Sequence, residues 1–98
     1  MMNIREVEKA VFKTVCQIQE WSGRVVPTED LENIVPIGGC EGFDSINGAE
    51  AAAQLSVKLN CTLEQNPFVK GNRALNIRQV AENLLKKVNK GKRSNERG

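Results

Sequence analysis

One helix-start signature occurs twice in this chain, and it constrains the fold more than any other feature. Asn3-Ile4-Arg5-Glu6-Val7 and Asn76-Ile77-Arg78-Gln79-Val80 each place an Asn where its side chain can accept from a free first-turn amide. Three residues later, Glu6 or Gln79 can reach back to the cap's own N–H, and Met2 or Leu75 can staple onto Val7 or Val80. After the first start, Ile4, Val7, Val11, Val15 and Ile18 recur at intervals of three and four. This spacing predicts a helix over residues 4–21, with Gly23 available to end it. After the second, Ile77, Val80, Leu84 and Val88 form the buried stripe of a closing helix.

The interior is punctuated differently. Beyond Pro27, Thr28-Glu29-Asp30 offers a cap for a short turn through Leu31 and Ile34, and Pro36, Gly38, Gly39 and Gly42 then argue against regular structure. From Asp44 or Ser45, either of which can cap, a second long helix is expected, with Ile46, Ala49, Ala53 and Leu55 through Leu59 as its apolar surface. Gly48 inside it costs about 1 kcal/mol relative to Ala, and close approach by a neighbour accounts for its presence. Asn66-Pro67-Phe68-Val69 puts Pro behind an Asn cap with Gly71 shortly after, which suits a helix of one or two turns. No segment has the period-two alternation of a strand and no internal repeat is present. The expectation is an all-α, small four-helix bundle, three long helices and one short, in residues 1–88. Residues 89–98 contain no apolar side chain and are expected to form a disordered basic tail.

What is missing narrows the chemistry. The chain has 98 residues with no His and no Tyr, so the commonest general base and metal ligand are absent. With only one Trp and three Phe, the core must be mainly aliphatic. An enzyme with a self-contained nucleophile is not expected. Cys16, Cys40 and Cys61 are odd in number and form no CxxC pair, so they read as reduced thiols filling small spaces, without a metal site. No apolar run approaches the roughly 20 residues of a membrane span, and Arg5, Glu6, Glu8 and Lys9 interrupt any leader, so a cytoplasmic location is expected.

The net charge of +2 is unevenly spread. Between Arg24 and Lys58 there is no basic residue, while Glu29, Asp30, Glu32, Glu41, Asp44 and Glu50 fall in that interval. The end of the chain carries Lys86, Lys87, Lys90, Lys92, Arg93 and Arg97 against Glu96 alone. The middle should attract basic protein surfaces and the tail should attract anions. Because the tail cluster lacks interleaved aromatics, it supports no more than weak, salt-dependent nucleic-acid binding.

Glycines and acids converge on Gly42-Phe43-Asp44-Ser45-Ile46, where an exposed hydroxyl meets a helix N-terminus. There, free amides and the helix dipole favour a phosphate ester. Here the sequence resembles the acyl carrier protein family, whose members attach 4′-phosphopantetheine to the serine of a Gly-x-Asp-Ser-Leu motif heading the second helix. Gly42, Asp44, Ser45 and Ile46 carry the match, with Ile for the usual Leu, and Glu50, Leu55, Leu31 and Ile77-Val80 agree in spacing. The likeness covers about residues 3–88.

The resemblance implies that Ser45 is the attachment point and that Asp44 helps position the transferase's metal. It implies a monomeric carrier rather than an enzyme, holding an acyl or aminoacyl group as a thioester on the arm's thiol. Implied partners are a phosphopantetheinyl transferase, a loading ligase and acyl-transferring or synthase enzymes of fatty-acid or polyketide type, with no specific nucleic acid and no membrane. Partners would meet Glu41, Asp44, Ile46 and Glu50, although helical spacing to Ala49 and Ala53 equally allows Ile46 to face the core. The family's acids on the second helix are replaced here by Asn47, Ser56 and Val57, followed by Lys58, which points to a dedicated pathway rather than central fatty-acid synthesis. The alternative is a helical interaction module that keeps the carrier fold with Ser45 unmodified.

Overall fold

The computed structural model describes residues 3–28, 33–63 and 65–97, with side chains as far as Val88. Helix α1 spans Ile4–Trp21 and is closed at its start by the expected capping box: the Asn3 side chain accepts from Glu6 N and the Glu6 carboxylate accepts from Asn3 N. A single turn, α2 at Pro36–Gly39, is followed by α3 at Ser45–Leu59. Two short strands, β1 (Val69–Lys70) and β2 (Arg73–Ala74), pair antiparallel, and α4 runs over Ile77–Arg97. The Asn76–Gln79 box opens α4, and Ile77 N is satisfied by Ile34 O at 2.9 Å. No helix among the described residues is long and apolar enough to cross a membrane.

The chain is mostly helical, and α1 packs against both α3 and α4. Val7, Val11, Val15 and Ile18 of α1 meet Ala51, Leu55 and Leu59 of α3 and Ile77, Val80, Ala81 and Leu84 of α4 in one core. Each of the larger aliphatics contributes about 1.5–3 kcal/mol by leaving water. Phe43 and Phe68 close one end, their rings 5.8 Å apart and tilted. Glu8 is buried and takes a hydrogen-bonded ion pair from Arg78 at 3.5 Å, tying α1 to α4.

Three expectations are corrected. The helix expected after Asn66-Pro67 is instead the β1–β2 hairpin, the one sheet among the described residues. Asn66 Oδ1 accepts from Phe68 N at 2.9 Å, an Asx turn that sends Phe68 into the core and leaves Val69 extended. Gly71, at φ 61, then reverses the chain. Beyond Pro36 the backbone makes a non-helical turn, with Ile37 at ψ 113 and Gly38 at φ 91, closed by Cys40 N donating to Pro36 O at 3.0 Å, as the glycines there led one to expect of a segment without regular structure. On α3 the buried face is Gly48, Ala51, Ala52, Leu55 and Leu59, so Ile46, Ala49, Ala53 and Val57 face solvent.

Finally, the segment expected to be a disordered tail continues α4 to Arg97. Lys, Arg, Asn and Glu do not break a helix, Gly91 alone costs about 1 kcal/mol, and extension from a helix already nucleated gains one backbone bond per residue. The turn expected through Leu31 falls largely outside the described residues.

Because residues 89–97 add no apolar side chain, truncation after Val88 is expected to lower helical ellipticity while leaving the melting temperature within a few degrees of the full chain. Circular dichroism melts of the two chains check this, and a large drop would mean that the end of α4 docks on the body.

Candidate functional site

The loop before α3 is held from below by side chains of α1 and the residues after it. Gln19 is wholly buried, and its Nε2 donates to Val25 O at 3.0 Å and to Glu41 O at 2.7 Å. Among the described residues its Oε1 has no partner. Arg24 Nη1 donates to Gly42 O at 2.6 Å and to Asn47 Oδ1 at 3.1 Å. A Cβ at Gly42 would sit 2.8 Å from Arg24 Nε, and the backbone there is left-handed at φ 68, so two requirements meet on this glycine. Val25 N donates to Glu41 Oε1 at 3.0 Å, and Cys40 and Phe43 turn inward.

This anchoring presents Asp44, Ser45 and Ile46 outward, all three exposed. Asp44 is the N-cap: its Oδ1 accepts from Ile46 N and Asn47 N, both at 3.0 Å, while Asn47 Oδ1 accepts from Asp44 N at 3.2 Å. Ser45 is therefore the first helical residue, and no described residue hydrogen-bonds its hydroxyl. From behind, Asn66 Nδ2 donates to Ser45 O at 3.1 Å. The Asn66 amide occupies the space that Gly48 leaves, where a Cβ would lie 3.0 Å from Nδ2 and 3.3 Å from Ile37 Cδ1. Gly48 thus has the close neighbour its sequence position demanded.

Of the residues singled out in the sequence, Glu41, Asp44, Ser45 and Ile46 sit together at this helix start, with Glu50 exposed one turn after Ile46. Ile46 is 76% exposed, which decides its orientation against the core. Glu41 has a structural duty in holding Val25 N. Glu29, Asp30 and Glu32 lie outside the described residues. Arg24, Gln19, Asn47 and Asn66 were missed, and only Gly48 hinted at any of them.

The cysteines are free thiols. Burial pushes all three above the ordinary thiol range, with Glu20 adding to the rise at Cys16 and Lys87 opposing it at Cys61, so they stay protonated and poorly nucleophilic at neutral pH. What the site offers chemically is one unclaimed hydroxyl at a helix N-terminus, with a carboxylate beside it and no base bonded to it. No protein-family model matches the chain, and no curated protein or solved structure matches it either.

Arg24→Ala removes the donor to Gly42 O and Asn47 Oδ1. It is expected to cost about 1–3 kcal/mol of unfolding free energy. Faster amide exchange should be confined to residues 41–47, read by hydrogen exchange with a denaturant melt.

Proposed function

We propose that this chain is an acyl or aminoacyl carrier, with 4′-phosphopantetheine esterified to Ser45. The supporting observation is the division of labour at the start of α3, where Asp44 takes the cap and the neighbouring Ser45 hydroxyl is left exposed, without a partner among the described residues. A phosphate ester on Ser45 Oγ would lie at the positive end of the helix dipole, with the Ile46 and Asn47 amides already taken by Asp44. When bound, the group supplies a thiol on a long arm that holds cargo as a thioester.

The chain's own residues bind and orient. Ser45 offers its oxygen, and Asp44 holds the helix start and presents a carboxylate to a transferase's metal. Gln19 and Arg24 keep the loop from collapsing onto the hydroxyl. With no base on Ser45, the proton must leave to the transferase. The order of three long helices, with the serine heading the second, supports an acyl-carrier-type bundle, although the β1–β2 hairpin stands where that bundle has its short helix. Loading from coenzyme A fits work in the cytoplasm.

Partner enzymes meet the exposed face of α3. Ile46 and Val57, 76% and 80% exposed, lie on it with Glu50 between them, giving an apolar stripe with a single acid. The same stripe supports a second reading, an interaction module in which Ser45 stays unmodified.

Incubation with coenzyme A and a broad-specificity phosphopantetheinyl transferase is expected to add one arm, seen by intact mass, and Ser45→Ala to fold normally and gain none. A wild-type chain that stays unmodified would favour the interaction module. Glu50→Lys, which touches no loop anchor, is expected to slow the transfer, with the defect shrinking as salt rises.

A further inference from the structure

Behind Ser45, on the far side of Asn66, a cleft of about 470 Å³ opens between α4 on one side and Leu63 with residues 65–71 on the other. That volume is within the range of small-molecule sites, about 300–1,000 Å³. Leu63, Pro67, Val69 and Leu84 give it apolar walls, and Lys70, Lys86 and Lys87 reach it from both sides. Asn66 lines the cleft while its amide holds Ser45 O, so one residue separates the cleft from the serine.

Stability does not explain the lysines. In the hairpin register Lys70 faces Arg73, and like charges directly opposite one another destabilise a strand pair. Among the described residues none of Lys70, Lys86 and Lys87 has an ion pair, although Glu82, one turn before Lys86, shares an adjoining groove with Lys70 and Lys86. Cations gathered over an apolar floor, one of them at a cost to the hairpin that displays it, form a complement to an anion with an apolar body.

We propose that this cleft binds an amphipathic carboxylate or phosphate, its charged end on Lys70, Lys86 and Lys87 and its chain against Leu63, Pro67 and Val69. Two sources share that chemistry: a free small molecule, or the distal carboxylate of a group carried on Ser45. Only the second rests on the carrier reading.

The test is an amide-resolved NMR titration of the unmodified chain with octanoate and octyl phosphate at low salt, with octanol and acetate as controls. Saturable shifts are expected in residues 63–71 and 83–87, about tenfold tighter for the amphipathic anions than for either control and weakened by salt. Ser45→Ala is expected to bind equally, which separates the cleft from the arm. Lys70→Glu, with an acid now opposite Arg73, is expected to raise the melting temperature while weakening octanoate, and adding Lys87→Glu to weaken it further. Octanol binding as tightly as octanoate, shifts confined to the α1–α3 core, or full affinity in the double variant would overturn the proposal. In the modified chain, cleft shifts on loading a dicarboxylic acyl group but not a neutral one would identify the carried group as the source. Binding of free octanoate without such shifts would identify a free ligand.

Discussion

The Asn66 side chain is the contact on which the arrangement around the serine depends. Its Oδ1 accepts from Phe68 N and its Nδ2 donates to Ser45 O, so one planar amide fixes both the turn into the hairpin and the first turn of α3. The amide lies close against the helix at Gly48, where a Cβ would sit 3.0 Å from Nδ2 and 3.2 Å from Oδ1 and would press on it by a few tenths of an ångström. The loss of helix propensity at Gly48 is thereby offset by two hydrogen bonds and by the burial of Phe68 that the turn directs. Moving Asn66 would disturb the serine's backbone, the core aromatic pair and the cleft wall together.

The loop on the other side is held by a different means. Residues 40–44 have little repeating backbone structure of their own, and their carbonyls are met by Gln19 and Arg24 from α1 and the residues just after it. Gln19 makes its bonds in the core with its oxygen left unpartnered, a cost of about 1–3 kcal/mol that the two donated bonds must outweigh. Arg24 brings a cation under a segment whose exposed residues, Glu41 and Asp44, are acidic. The field around the serine is therefore less negative than the run of acids suggests.

Local signals were legible in the sequence and distant ones were not. Both ends of α1 and the starts of α3 and α4 follow from capping residues within four positions of the boundary, which is why Asn3 and Asn76 could be read directly and the α3 cap could be narrowed to Asp44 or Ser45. The Asn66-Pro67 start misled because an Asn that can cap a helix makes an equally good Asx turn, and the choice was made by Phe68 seeking the core. On α3 the alanines gave no contrast between faces, so the buried side was settled by α1, far away in sequence. Gln19 and Arg24 act across 22 and 18 residues, beyond any periodicity.

Because Asp44 supplies the cap, the side chain beside it, that of Ser45, has no part in capping the helix. On the carrier reading, an ester on the Ser45 oxygen would take no atom from the bonds that hold this helix start. A partner that distinguishes the free from the esterified form must recognise the appended group itself. On that reading the protein body would serve as a constant handle, the same at every stage of the cargo's passage.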